Sequence, residues 1–183
     1  MNRGKNLLLI ISPVVVTFLI YGFILFFLFQ QGYSPSLFIR AGSQYVDTSV
    51  PVDLIPNNIG YDGQFYYGLS IDPVFNNNPS HGITLDYPHY RQQRIIYPVL
   101  VHLLSFGNSN LIPGMLIVVN FLSICILAAL GGLFAQQNGK SPWYGLLFSL
   151  YPGFFVTFTR DLVEIVAGVF LLATVLAIYK KTT

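Results

Sequence analysis

Residues 7–29 read LLLIISPVVVTFLIYGFILFFLF, a run without a charged side chain. A helix needs about 20 mainly apolar residues to cross a bilayer, so this run decides the fold class. Working outward, residues 111–135 and 142–159 are equally free of charge, and 162–179 carries only Glu164. The sequence therefore predicts an all-α integral membrane protein of about four transmembrane helices, forming one membrane domain over residues 1–183. Composition agrees, since 54% of the residues are hydrophobic and 9% charged, against roughly 25% charged in a soluble domain. A net charge of +2 leaves no basic footprint for nucleic acid. The single cysteine, Cys125, sits in an apolar run, so no disulfide framework or cysteine metal pair can be read.

The first run is longer than the roughly 7–15 residues of a signal-peptide core, and residues 29–33 offer no small-residue cleavage site. An uncleaved anchor is expected, with Pro13 near one end. Lys and Arg are retained on the cytoplasmic side of a membrane. Arg3 and Lys5 precede the first span, Lys140 lies between the second and third, and Lys180 and Lys181 follow the fourth. All three sites fall on one side when there are four spans. Both termini are then cytoplasmic, and residues 30–110 form a long extracytoplasmic loop that receives Asp47 through Asp86. Residues 95–106 reach only about 18 Å as a helix and are read as an interfacial helix, with His102 at headgroup depth. Gly131-Gly132 and Ala128-Ala129 read as close helix packing, Asn120 as a bond between helices, and Pro152-Gly153 as a kink.

Loops this long are functional or disordered. This one is rich in aromatics, unlike disordered chains, so short helices at the membrane surface are expected, with 47–56 and 75–80 as irregular links and many tyrosines in an interfacial belt. Its densest chemistry is Tyr61-Asp62-Gly63-Gln64-Phe65-Tyr66-Tyr67, followed by Arg91-Gln92-Gln93-Arg94. Asp62-Gly63 is a good turn, and equally a carboxylate at the water boundary suited to general-base work. Arg91 and Arg94 share a helix face at a spacing of three and can grip a phosphate, or pair with acids such as Asp86. Asp161 and Glu164 fit an N-cap and third position of the last span as a capping box. Carboxylates at the edge of a span are also functional candidates, able to hold a divalent cation or orient an acceptor. The identity of any metal is left unknown. His81 and His89 around Asp86 are irregularly spaced for a metal site.

Taken together, the first span, the early loop Asp, the Arg- and Pro-containing stretch and the second Asp at the outer start of a later span resemble the GT-C glycosyltransferases. Residues 60–67 with 94–100 look most like bacterial GT-C-type proteins that form cell-surface glycopolymers. The resemblance implies transfer of a sugar from a polyprenyl-phosphate donor to a cell-envelope acceptor on the outer face of a bacterial inner membrane. Asp62 would be the catalytic base. Asp161 with Glu164 would form a second acidic site for acceptor or metal, Arg91, Arg94 and Arg160 would neutralise phosphate, and Tyr61, Gln64 and Tyr66 would contact substrate. Four spans are fewer than the roughly seven of that superfamily's core, so the chain reads as truncated or as dependent on a membrane partner supplying further spans. The competing class is a non-catalytic assembly or binding subunit of a glycan-export complex. A channel is disfavoured by spans with a single charged residue.

Overall fold

The computed structural model describes residues 3–182, and the side chains of residues 9–178. The side chains of Arg3, Lys5, Lys180 and Lys181, on which much of the orientation reading rests, lie outside that range. The chain is mostly helical. Two helices are long and apolar enough to cross a membrane: α1, Arg3–Gln30, and α5, Ile112–Gln137. Between them come α2, Gly63–Ile71, α3, Pro88–Gln92, and α4, Ile96–Ser105, with a parallel ladder of β1, Ala41–Gly42, and β2, Leu54–Ile55. After α5 follow α6, Gly145–Ser149, α7, Pro152–Phe158, and α8, Glu164–Thr182.

The chain divides into two compact units, one of Met1–Gly32, Asn120–Val156 and Glu164–Thr183, the other of Tyr33–Val119 and Thr157–Val163. In the first unit α1 leaves large apolar side chains uncovered, Phe23 at 67% and Leu19 at 61% exposure. An apolar helix face of that extent needs lipid or a partner against it. Its few polar groups turn inward: the Thr17 and Ser149 hydroxyls bond at 2.7 Å, the Tyr21 hydroxyl donates to the Ser149 carbonyl at 2.9 Å, and Tyr21 stacks on Phe155. In an apolar interior each such group must find a partner. Small residues allow the close approach read for Gly131-Gly132 and Ala128-Ala129. A Cβ on Gly145 would lie 2.3 Å from the Ala128 carbonyl oxygen, and one on Gly131 would strike Phe148.

The span expected over 142–159 is not one helix. It consists of a 3₁₀ turn at Pro142–Tyr144, then α6, a break at residues 150–151, and α7. Pro152 causes the break, because it has no N–H to donate and its ring disfavours helical backbone at Tyr151. The kink read for Pro152-Gly153 is thus a full interruption.

In the second unit α2 is the core rather than a surface helix, with every residue from Gly63 to Ser70 buried. Phe65, Leu69, Phe75 and Leu85 form its apolar cluster. Tyr66, Tyr67 and Tyr97 are fully buried and do not belong to an interfacial belt. His102 donates from Nδ1 to the Ser70 carbonyl at 2.8 Å, so it pins α4 to the end of α2. The helix read at 95–106 is present as α4, with Tyr97, Val101 and Ser105 inward and Ile96, Leu100, Leu103 and Leu104 outward.

Gly145→Ala is expected to cost about 1–3 kcal/mol by overpacking, whereas Gly22→Ala, which meets nothing within 4 Å, is expected to be neutral. Thermal unfolding of the detergent-solubilised variants checks the pair.

Candidate functional site

Asp62 occupies the N-cap position of α2, yet its carboxylate makes no capping bond. The backbone carbonyl takes that role, accepting from Phe65 N at 3.0 Å, and the side chain is left to reach Arg91. Gly63 is needed here for proximity and not for a positive φ. A Cβ on it would sit 2.5 Å from the Arg160 carbonyl oxygen and 2.7 Å from that of Ile39. The absence of a side chain at 63 therefore lets the start of α2 press against residue 160.

Arg91, at the end of α3, is 8% exposed in its side chain and lies between two acids. Its Nε and Nη2 donate to Asp86 Oδ1 and Oδ2, each at 2.8 Å, and its Nη1 donates to Asp62 Oδ2 at 2.5 Å. The guanidinium also stacks over the Phe65 ring, 4.4 Å from the centroid. Burial opposes its charge, but the bonds to Asp86 and Asp62 prevail and hold its pKa above the ordinary arginine value. The same pairing holds the Asp86 carboxyl below the usual range, against its partial burial. The Asp62 side chain is 38% exposed, and its Oδ1 accepts no hydrogen bond among the described residues.

Where the sequence suggests a phosphate ligand, three of the five Arg91 N–H donors are taken by carboxylates. Arg94 plays a different part. Since α3 ends at Gln92, Arg94 lies beyond it and donates to the Tyr90 hydroxyl at 2.7 Å and to that of Tyr66 at 3.3 Å. Arg160 lies over the Tyr61 ring, 4.4 Å from its centroid, half-buried, and forms no ion pair among the described residues. Tyr61 is exposed and stays available for a ligand. Gln64 and Tyr66 are sealed inside. Gln64 accepts from Gly42 N at 2.9 Å and donates to the Ile59 carbonyl at 2.7 Å, tying α2 to the strand segment. Tyr66 packs edge-on against Tyr97. Both residues, expected from the sequence at a substrate, are buried.

The acidic pair is also not as expected. Asp161 caps the end of α7 instead of starting α8. The Leu162 N–H returns to the Thr157 carbonyl at 3.1 Å, and Asp161 has φ +48°, the pattern of a Schellman turn with an aspartate where glycine is commoner. Glu164 is the first residue of α8, so no capping box forms. Asp161 is completely buried and neither carboxylate oxygen has a hydrogen-bond partner, so burial drives its pKa well above the ordinary carboxylate value. Glu164 is exposed. Among the described residues no three His, Cys, Asp or Glu side chains gather as a metal site, and His81 and His89 do not join Asp86. The pairing with Asp86, one of the two alternatives the sequence offers for the arginines, is made by Arg91. Its signal is local, an acid five positions before an arginine across the helix start at Pro88.

No family model, curated protein or solved structure matches the chain.

An aspartate whose pKa is raised by burial has a definite pH signature. The folded pKa exceeds the unfolded value of about 3.9, so between the two the folded chain holds a proton that the unfolded chain has lost. Stability then falls as pH rises from about 4 through the folded pKa. Asp161→Asn is expected to remove that fall, matching wild type near pH 4 and melting at higher temperature at pH 8. Unfolding curves across pH check this, and destabilisation at every pH would contradict it.

Proposed function

We propose that the protein is a membrane-embedded GT-C-type glycosyltransferase that moves a sugar from a polyprenyl-phosphate carrier to a cell-envelope acceptor on the extracytoplasmic face. The observation that carries this reading is Asp62. One carboxylate oxygen is locked by Arg91 while the other has no hydrogen bond among the described residues, and the preceding residue, the exposed Tyr61, lies under the Arg160 guanidinium. A fixed carboxylate with one open oxygen is the geometry asked of a general base. A half-buried arginine without an ion pair suits a phosphate.

In this mechanism Asp62 Oδ1 takes the proton of an acceptor hydroxyl as that oxygen attacks the anomeric carbon. The bond from that carbon to the phosphate oxygen breaks, and its electron pair leaves with the polyprenyl phosphate. Arg160 stabilises the charge that builds there, with Arg94 at the edge of the site, in the manner of preorganised electrostatics. Asp161, buried without a hydrogen-bond partner one residue after the Arg160 carbonyl that meets Gly63, supports the shape of the site.

The membrane setting is supported by α1 and α5 and by α4, whose outward face is the apolar one. In this reading α8 is a further span, the broken α6–α7 segment passes through the membrane as a discontinuous helix of the kind tolerated where protein surrounds it, and both termini are cytoplasmic in a bacterial inner membrane. A membrane-protein partner would supply additional spans.

The test is sugar transfer from a panel of polyprenyl-phosphate sugars in membranes holding equal amounts of wild type, Asp62→Asn and the exposed-acid control Asp47→Asn. Wild type and the control are expected to transfer, and Asp62→Asn to lose about 10²–10⁴-fold, as for removal of a general base. Equal transfer by Asp62→Asn would overturn the assignment. No transfer by any correctly inserted protein would favour the non-catalytic assembly role.

A further inference from the structure

Arg40 stands beside the Asp62 segment and has none of the roles given above. It immediately precedes β1 and has φ +55°, a left-handed backbone that a residue with a Cβ enters at a cost. Close backbone approaches hold it there. The Tyr61 N–H donates to the Arg40 carbonyl at 2.9 Å, and a Cβ on Gly42 would lie 2.2 Å from Gly60 N, so residues 40–42 are pressed against residues 58–61. The carbonyl oxygens of Ile39 and Arg160 come within 2.7 and 2.5 Å of the position that a Gly63 Cβ would take. Three separate segments therefore meet at the start of α2, and they bring Arg40 and Arg160 to the two residues, Tyr61 and Gly63, that flank Asp62.

Neither arginine has a counter-charge. The Arg40 side chain is half-buried. Its Nε is covered and makes no hydrogen bond, while Nη1 and Nη2, also unbonded among the described residues, are not sealed off. Arg160 is half-buried too, with its guanidinium over the Tyr61 ring and no ion pair among the described residues. The carboxylates of this unit are placed elsewhere. Asp62 and Asp86 bond to Arg91, Asp53 to Ser34 and Ser36, Asp47 to the Ser49 N–H, and Asp72 to Ser80. Asp161 adjoins Arg160 in the chain and bonds to neither arginine.

A guanidinium that has lost part of its hydration is costly until an anion meets it. Arg91 shows how this fold neutralises such a group from within, and Arg40 and Arg160 lack that arrangement. Their anion has to come from outside the chain. A phosphate group suits two guanidiniums better than a carboxylate does, because its several oxygens accept from two forks at once and its charge can exceed one. The ligand class is taken from the reading of Asp62 as the base in a transfer from a phosphate-linked donor.

We infer that Arg40 is a phosphate-binding residue and forms, with Arg160, an anion site beside Asp62. The experiment uses the full chain in a zwitterionic detergent, titrated with inorganic phosphate and with polyprenyl phosphate, and with uncharged polyprenol for comparison. Arg40→Asn removes the charge and tolerates the positive φ, and Arg40→Lys keeps the charge without the fork. Arg40→Asn is expected to weaken polyprenyl phosphate binding about tenfold, the scale of one charge-assisted hydrogen bond, with polyprenol binding unchanged. Arg40→Lys is expected to lose less. A parallel loss for inorganic phosphate identifies the phosphate group itself as the ligand, and a loss for the lipid alone identifies a lipid-linked phosphate; both sustain the inference. Lys140→Asn, which removes an exposed positive charge outside this unit, is expected to change nothing. Loss below about threefold in Arg40→Asn for both phosphate probes would overturn the inference, as would an equal loss in Lys140→Asn. The two readings fail separately. Phosphate binding that depends on Arg40 in a chain that transfers no sugar would remove the transferase reading alone, whereas transfer that depends on Asp62 with phosphate binding indifferent to Arg40 would remove this one alone.

Discussion

The position of one guanidinium organises the candidate site. Arg91 is almost wholly withdrawn from water, and a buried cation persists only when its donors are satisfied by charge and geometry. Asp86 accepts from Nε and Nη2 as a bidentate partner, and Asp62 accepts from Nη1. Phe65, on the first turn of α2, supplies the flat face beneath. A lysine could not replace Arg91, because a single ammonium lacks the rigid fork that meets two carboxylates at once. The consequence for chemistry is that the direction of Asp62 is set by residues distant in the chain and not by the helix it begins.

Two aspartates in the same unit show how environment divides similar groups. Asp62 is partly in water with an arginine on one oxygen. Asp161 is fully enclosed with no partner on either. The cost of desolvating a charge is far larger than that of burying a neutral acid, so burial favours the neutral form of Asp161, while the charge of Asp62 is met by Arg91. Gly63 links the two environments, since its lack of a side chain allows the start of α2 to touch the Arg160 carbonyl. Any side chain there would push Tyr61 and Arg160 apart.

Long apolar helices are legible from composition alone, because α1 and α5 are governed by residue type along one continuous segment. The interruption at Pro152 is legible as a place, though its depth is not. Proline chemistry is local, while the way neighbouring segments take up the freed carbonyls is not. The candidate site is legible in its members and not in their duties. Asp62, Arg91 and Arg160 stand out in the sequence as unusual residues, and Asp86 is legible as an alternative partner for the arginines, but spacing groups Arg91 with Arg94, and only the folded chain joins Arg91 to Asp62 as well. The local pattern of Asp161 and Glu164 fits a helix start, and the Schellman turn that overrides it depends on α7 ending at Phe158, which the sequence pattern does not mark. Gln64 reads as a substrate contact because it sits in a polar motif. Its two bonds, to Gly42 and Ile59, join segments whose meeting no periodicity reveals.

The most direct test of the Arg91 clamp is the side-chain nitrogen NMR spectrum of arginine in the full chain. A guanidinium held through Nε, Nη1 and Nη2 cannot rotate freely about its Nε–Cζ bond, the motion that exchanges Nη1 with Nη2. Arg91 should therefore give separate, slowly exchanging Nη1 and Nη2 signals in wild type, with Nη1 alone released in Asp62→Asn. A single averaged Nη signal in wild type would contradict the clamp and, with it, the fixed orientation of Asp62.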